Sequence, residues 1–212
     1  MLGKIRDSHA FNVDNLVQYI RAHLRDDFTN VDVQQFDAGQ SNPTFLVSLD
    51  DASYVLRKKP PGKLLPKAHM IEREFRVMEA LSRTNVPVPE MHLLCEDDSV
   101  IGTPFFLMEY VKGRVFWDAR FPDSTPEERT ALFQAMNQTL ANLHQVDLDA
   151  VGLGDYGRKG NYFARQISIW SRQYVASETE TIEAMNHLIQ WLPQHVPDDD
   201  SSSLVHGDYR LD

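Results

Sequence analysis

The apolar residues in the first half of the chain recur with two different periods. Near the start they share one face at helical spacing and predict an amphipathic helix: Val13, Leu16, Val17, Ile20 and Leu24. From Val31 to Asp50 the period shortens to alternation, most clearly in 44–49, which predicts two strands. Apolar runs at 53–58, 91–96 and 104–111 predict three more strands.

A helix is predicted between the third and fourth of these strands. Its apolar stripe consists of Ile71, Phe75, Met78 and Leu81. At about 100° per residue, Glu74 falls inside that stripe. A carboxylate on the buried side of a helix is costly unless it meets a cation, and the preceding strand offers Arg57. The pattern therefore predicts an Arg57–Glu74 ion pair, of the kind that orients nucleotide phosphates; a glutamate reaching out to solvent is the alternative.

Beyond about residue 113 the pattern is almost wholly helical. Thr125, Pro126 and Glu128 form the start signal of a helix: an N-cap, a proline at the first helical position and a capping-box glutamate. Two later helices carry residues that we expect in the core: Phe163, Ile167, Trp170, Tyr174, Ile182, Met185, Ile189 and Leu192. This order predicts an α+β fold with two lobes, a sheet-rich lobe at 1–112 and a helical lobe at 113–212.

The composition is that of an ordinary globular protein, because 42% of the 212 residues are hydrophobic and 25% are charged. The single cysteine, Cys95, excludes an intrachain disulfide framework. The chain has neither a bilayer-spanning apolar run nor a signal peptide, so we expect a cytoplasmic protein without a membrane partner. The net charge of −10 argues against nucleic acid as a partner.

Positive charge is concentrated between Arg57 and Arg83. The cations of this segment are Arg57, Lys58, Lys59, Lys63, Lys67, Arg73, Arg76 and Arg83. They predict a place where a polyphosphate could be held, or else a solvated basic face. The nearby link 37–43 is rich in small residues that let backbone amides approach a ligand, but it matches no common phosphate-loop motif. It predicts a phosphate cradle or a plain hairpin turn.

The predicted strand at 104–111 is the candidate contact for a nucleotide base. Backbone groups at Glu109 to Val111 could bond the edge of an adenine, while Leu107 and Met108 line its pocket. The alternative is a core strand with no ligand. After it, Lys112 and Gly113 mark a flexible link.

The last residues of the chain carry the strongest candidate chemistry. Ser203 to Val205 is a short apolar run that predicts a buried strand, and His206-Gly207-Asp208 follows it. This order delivers Asp208 to an exposed loop, where a carboxylate can orient a hydroxyl group and accept its proton. Taken alone, the tripeptide is also compatible with a simple polar turn.

Three motifs together resemble the aminoglycoside phosphotransferase and choline kinase superfamily, which has the protein-kinase-like fold. The segment 206–212, HGDYRLD, is similar to that family's catalytic loop, and 108–113, MEYVKG, to its interlobe hinge. The segment 54–65, YVLRKKPPGKLL, with Ala68-His69 and Arg73-Glu74, resembles the phosphotransferase-like domain associated with acyl-CoA dehydrogenases. The resemblance extends from about Val31 to the last residue.

The resemblance implies a role for each candidate site residue. Asp208 would be the catalytic base, and His206 would support the loop. Arg210 is predicted as a third catalytic residue. Arg57, paired with Glu74, would replace the lysine that orients phosphates in protein kinases, and it presents a planar fork rather than a point charge. The remaining cofactor contacts would come from two groups: Ser41, Asn42 and Thr44 over the phosphates, and Glu109, Tyr110 and Val111 at the adenine.

ATP and Mg²⁺ are the cofactors that the resemblance implies. The family's metal-binding asparagine would come directly after Asp212, and its second metal ligand would come later still. Without Mg²⁺ the charge of the transition state is not neutralised. We therefore expect the 212-residue chain by itself to have little or no catalytic activity, with an incomplete helical lobe that could dimerise.

The sequence predicts a small-molecule kinase that transfers the γ-phosphoryl group of ATP to a hydroxyl group near Asp208. The resemblance favours a hydroxy acid or a hydroxyacyl-CoA-like acceptor over an aminoglycoside. A nucleotide-binding or scaffolding module without catalysis is the alternative from another class.

Overall fold

The computed structural model describes residues 2–37, 42–62, 69–116, 118–198 and 201–211. The predicted roles of Ser41, Lys63 and Lys67 concern positions outside these residues. The chain divides into two compact units, one formed by residues 1–142 with 207–212 and the other by residues 143–206. The lobe boundary near Gly113 stays a prediction.

The first unit is built around an antiparallel sheet. Its described strands are β1 (Leu2–Gly3), β2 (Val31–Phe36), β3 (Thr44–Leu49), β4 (Ser53–Lys58), β5 (Met91–Cys95) and β6 (Phe105–Glu109). They lie in the order β1-β2-β3-β4-β6-β5. Its helices are α1 (Val13–His23), α2 (Ile71–Leu81) and the short α3 (Asp98–Ile101). The long helix α4 (Pro126–His144) follows, and the second unit contains α5 (Tyr162–Ser177) and α6 (Glu183–Trp191).

Both faces of this sheet are covered, and β6 shows this directly. Phe105, Phe106 and Leu107 are consecutive in the strand and all are fully buried. Successive side chains of a strand point to opposite faces, so each face must be packed. Phe105 and Leu107 belong to a core cluster with Leu16 of α1. The ring of Phe106 lies 6.1 Å from that of Phe75 on α2.

Most helices and strands expected from the periodicity are confirmed. The capping box at the start of α4 is formed, because the Thr125 amide donates to Glu128 Oε2 at 2.8 Å and the Glu128 amide donates to Thr125 Oγ1 at 3.2 Å. The periodicity predicted neither β1 nor α3. Both elements are too short for a periodic signal.

The strand predicted at 203–205 is not formed among the described residues. The stretch 201–206 has no assigned regular structure, and Val205 is 63% exposed. A strand is stable only when another strand completes its backbone hydrogen bonds. The described strands pair only with one another, so this apolar run is not a strand of the sheet.

The aromatic residues of α5 do not form the expected core. Phe163 is 47% exposed and Trp170 is 63% exposed. Trp191, at the end of α6, is 52% exposed as well. Helical spacing identified a common face, but spacing does not supply the second surface that would bury it.

The basic segment does not form one cationic surface. Lys58 is only 2% exposed and faces the α1 side of the sheet, where its Nζ lies 5.1 Å from the centre of the Phe11 ring. Arg57, the preceding strand residue, faces the α2 side. No carboxylate in the described part of the chain pairs with Lys58. Lys58 therefore does not contribute to the expected anion site.

Replacing Lys58 with methionine is expected to stabilise the fold at pH 7 by on the order of 1 kcal/mol, because a buried charge without a carboxylate partner is costly. Burial lowers the pKa of the Lys58 ammonium below its usual 10.5. Between the lowered pKa and 10.5, the unfolded chain binds this proton and the folded chain does not. The group's contribution to stability thus rises with pH across that window.

Urea unfolding of Lys58→Met and of the natural sequence at pH 7 and pH 10 measures both effects. The advantage of the variant should shrink at the higher pH. The exposed Lys4, changed to methionine, is the matched control and should show neither effect. A constant difference at both pH values would contradict a desolvated Lys58.

Candidate functional site

An ion pair between β4 and α2 forms the centre of the candidate site. Arg57 Nε donates to Glu74 Oε2 at 2.7 Å, and a second guanidinium nitrogen lies 3.4 Å from Glu74 Oε1. The two side chains are 29% and 36% exposed. Two nitrogens on two oxygens fix the orientation of the guanidinium as well as its position. The pair predicted from the inward position of Glu74 is confirmed.

A second ion pair lies beside the first and was missed in the sequence. Lys59 Nζ is 2.9 Å from Glu72 Oε2. Partial burial raises the pKa of the Glu72 carboxyl, but the Lys59 ammonium and the residue's own backbone amide together hold that pKa below its usual value. Arg57 and Lys59 share one face of the chain because side chains alternate, and this alternation was the available signal. The two pairs attach the first turn of α2 to the end of β4.

Asn42 and Thr44 of the predicted phosphate loop also meet this ion pair. Asn42 Nδ2 donates to Glu74 Oε1 at 3.0 Å. Thr44 Oγ1 donates to the Asn42 carbonyl at 3.0 Å and lies 3.5 Å from a terminal nitrogen of Arg57. Asn42 is only 2% exposed. Its side chain is therefore a buried support of Glu74, whereas the prediction placed it over the phosphates.

His69 joins the same network, although it was not among the residues predicted for the site. Its Nδ1 lies 2.7 Å from Asn42 Oδ1. The residue has a backbone φ of 56°, in the left-handed region that is unfavourable for a side chain with a Cβ.

Of the predicted adenine contacts, Glu109 is the last residue of the neighbouring strand β6, whereas Tyr110 and Val111 follow it, so the strand ends two residues earlier than predicted. Residues of β6 pair with β4, with Phe106 opposite Arg57 and Glu109 opposite Tyr54. The Glu109 amide already donates to the Glu90 carbonyl at 2.8 Å. Because this amide already has an acceptor, Glu109 cannot donate it to an adenine as the sequence analysis expected. The contacts of Tyr110 and of Val111, which is 59% exposed, stay predictions.

The predicted catalytic loop is exposed and is attached to α4. The side chain of Asp208 is 76% exposed, and Arg210 Nε lies 4.0 Å from its Oδ1. Tyr209 Oη donates to the Met136 carbonyl at 3.3 Å, a contact the sequence did not indicate. Gly207 has φ of 80°, which a residue without a Cβ adopts readily. His206 is exposed, and its supporting role stays a prediction.

Among residues 2–37, 42–62, 69–116, 118–198 and 201–211, no three His, Cys, Asp or Glu side chains group as a metal site. The Mg²⁺ implied by the resemblance therefore has no such described ligand group. The guanidinium group of Arg57 could hold the phosphates of a nucleotide, because guanidinium groups bind phosphate oxygens in pairs.

None of the described helices combines the length and the apolar character that crossing a membrane requires.

Residues 32–212 match the model of a family described as "Phosphotransferase enzyme family". A relative from Mus musculus, named "Acyl-CoA dehydrogenase family member 10", is 50% identical over 209 residues. The match covers 98% of this chain but only 20% of that protein. The chain thus corresponds to one part of a longer relative.

Two solved structures are similar to this one. The first, from Ralstonia eutropha, is described as a "putative aminoglycoside phosphotransferase"; it is 50% identical with a TM-score of 0.84, over 96% of this chain and 60% of that one. The second is a GDP complex of aminoglycoside 2'-phosphotransferase-IIIa, with a TM-score of 0.56 at 12% identity, over 90% of this chain and 59% of that one. Together with the six-stranded antiparallel sheet, they identify the α+β, protein-kinase-like fold.

Proposed function

Because the chain belongs to the phosphotransferase enzyme family, we propose that it binds ATP and serves the transfer of its γ-phosphoryl group to a small-molecule hydroxyl. The observation that carries this proposal is the Arg57–Glu74 ion pair, with 2.7 Å between Nε and Oε2. A cation held in this way beside a predicted phosphate loop has the geometry needed to orient phosphate oxygens.

Arg57 would bind the phosphates through the guanidinium edge that Glu74 does not use. Glu74 takes Nε and one terminal nitrogen, and the other terminal nitrogen lies 3.5 Å from Thr44 Oγ1. At that distance the contact with Thr44 is weak, so a phosphate oxygen could replace it. Phosphates therefore add a partner to Arg57 without breaking its pair with Glu74.

Asp208 would act on the acceptor. Its carboxylate accepts the proton of the hydroxyl as the hydroxyl oxygen forms a bond to the γ-phosphorus. The bond between that phosphorus and the bridging oxygen breaks, and ADP leaves with the electron pair. The 76% exposure of the Asp208 side chain keeps the carboxylate accessible to an acceptor.

We propose a hydroxy acid or a hydroxyacyl thioester as the acceptor class, in preference to an aminoglycoside. The mouse relative is named as a member of the acyl-CoA dehydrogenase family, and the matched stretch is 20% of that protein. Because that name refers to acyl-CoA chemistry, an acyl compound is the acceptor that we favour for the phosphoryl group.

The second unit by itself contains a cavity whose lining suits a compound of this class. It has a volume of about 580 Å³ and lies between the start of α5 and the stretch 201–205. Tyr162 and Phe163 give it apolar walls, and Arg158 and Arg165 add positive charge, whereas Lys159 is paired with Asp149 at 3.2 Å. Apolar walls with cations suit an acyl chain that ends in an anionic group better than they suit a cationic sugar.

A non-catalytic nucleotide-binding module is the second candidate. The Arg57–Glu74 ion pair supports it as well, because that pair would orient phosphates whether or not a transfer follows. Such a module would bind ATP through Arg57 but would transfer no phosphoryl group.

Nucleotide binding by this chain is tested by thermal unfolding with ATP or GTP, each with and without Mg²⁺. ATP at about one hundred times its dissociation constant should raise the melting temperature by about 5 to 10 °C. Adenosine, which lacks phosphates, should raise it less. No shift with either nucleotide at millimolar concentration would contradict the proposal.

Transfer is tested with the natural protein that carries this chain. Labelled γ-phosphate should appear on hydroxyacyl-CoA compounds and not on aminoglycosides. ATP binding without transfer to any hydroxyl compound would favour the binding module instead.

A further inference from the structure

The residue before the N-cap of α2 has an unusual backbone. His69 has φ of 56°, although it carries a full side chain, and its carbonyl accepts from the Ile71 amide at 3.0 Å. Such a φ is uncommon for any residue with a Cβ, although histidine adopts it more often than most, and glycine adopts it freely. Strained residues of this kind persist where surrounding contacts hold them, and they concentrate at functional sites. The His69 side chain contacts Asn42.

The direction of each hydrogen bond in this group follows from its chemistry. Glu74 as a carboxylate can only accept, so the Asn42 amide nitrogen donates to Glu74 Oε1 at 3.0 Å. The Asn42 oxygen must then accept, and His69 Nδ1 donates to it at 2.7 Å. The network assigns the proton to Nδ1 of His69. The chain of bonds runs from His69 through Asn42 to Glu74 and ends at Arg57.

This group ties together three segments that are distant in sequence. The turn before β3 contributes Asn42, the segment before α2 contributes His69, and α2 itself contributes Glu74. Asn42 is only 2% exposed, so water cannot readily replace a lost partner on either side of its amide. Aligned hydrogen bonds in a buried network strengthen one another.

We propose that His69 is a positioning residue that fixes Asn42 against Glu74 and thereby fixes the direction of Arg57 toward the phosphates. This inference rests on the proposed nucleotide binding. Glu74 Oε1 faces both Asn42, at 3.0 Å, and a terminal nitrogen of Arg57, at 3.4 Å. Without Asn42 held in place, the carboxylate can rotate, and the guanidinium rotates with it. His69 acts through two other residues and need not touch the nucleotide.

The test variant is His69→Gly, because glycine adopts a φ of 56° without steric strain and so removes the side chain without distorting the backbone. Relief of the backbone strain offsets part of the stability lost with the hydrogen bond to buried Asn42, so the variant should stay folded. It should bind ATP about three- to tenfold more weakly, as expected for the loss of one hydrogen bond. Adenosine affinity should not change, because Arg57 is proposed to bind the phosphates, which adenosine lacks. His69→Gln should recover part of the ATP affinity, since its amide can donate to Asn42.

His23→Ala is the matched control, because His23 Nδ1 also contacts an oxygen, the Tyr19 carbonyl at 3.0 Å, but on α1. It should leave ATP and adenosine affinity as they are. Combining His69→Gly with Arg57→Met should weaken ATP binding no further than Arg57→Met does alone. Affinities are measured by isothermal titration calorimetry on the whole chain.

The possible outcomes separate the two proposals. If the natural chain binds no nucleotide, the proposed function fails and this inference fails with it. If the natural chain binds ATP and His69→Gly binds it equally well, only the positioning role is overturned. Equal weakening of ATP and adenosine would likewise overturn it, because a general structural loss does not distinguish phosphates from the base.

Discussion

Replacing Asp208 with asparagine is expected to reduce phosphoryl transfer about a thousandfold and to leave ATP affinity within about twofold. Asparagine has nearly the shape of aspartate but cannot accept the proton of the hydroxyl. The side chain is 76% exposed, so water can satisfy a group that the change leaves without its carboxylate partner. The loss should therefore be confined to the chemical step.

The rate is measured as transfer of labelled γ-phosphate in the natural protein that carries this chain, and affinity is measured by calorimetry. Asp123→Asn is the matched control, since Asp123 is an exposed carboxylate in the turn before α4. It should transfer phosphate at the normal rate. An Asp208→Asn protein that keeps more than about a tenth of the normal rate would show that Asp208 is not the base.

Replacing Arg57 with methionine is expected to weaken ATP binding about ten- to a hundredfold, the usual value of a hydrogen bond to a charged group. Binding of adenosine should change little. Glu74→Gln should have a smaller effect in the same direction, because the guanidinium keeps its charge but loses the partner at 2.7 Å that orients it. Since both side chains are about one-third exposed, the cost in folding stability should stay near 1 kcal/mol.

The neighbouring ion pair is the matched control for this prediction. Lys59→Met and Glu72→Gln break a pair of similar length, 2.9 Å, between the same two parts of the fold. They should lower stability by a similar amount and leave ATP affinity unchanged. Calorimetric titration with ATP and urea unfolding of all four variants would separate the two pairs. Equal losses of ATP affinity from both pairs would mean that each merely holds α2 in place.

Sequence reasoning succeeded where a short stretch contained all the information. The capping box of α4 depends on residues 125–128 alone, and it was predicted down to its two hydrogen-bonding residues. The Arg57–Glu74 pair needed only a strand followed by a helix whose stripe includes a glutamate. In both cases local geometry decides which side chains can meet.

Predictions from the sequence were wrong where burial or strand pairing depends on a second part of the chain that packs against the segment. The run at 203–205 has the residue types of a strand, but no described strand pairs with it. Phe163 and Trp170 have helical spacing, yet they are 47% and 63% exposed. Lys58 was counted with a basic surface and is buried under the segment that holds Phe11. Each outcome depends on residues distant in the chain, which periodicity does not report.

By itself, the sequence determined the periodic elements, the family motifs and the identity of the charged residues that can meet across β4 and α2. Only the tertiary structure decided which polar side chains form hydrogen bonds with those charged residues. His69 and Asn42 are 27 positions apart in the chain, and Asn42 and Glu74 are 32 apart. Hydrogen bonds at 2.7 and 3.0 Å require both ends to be placed by the packed sheet and helix. No local pattern encodes such a distance, because it follows from the packing of the whole unit.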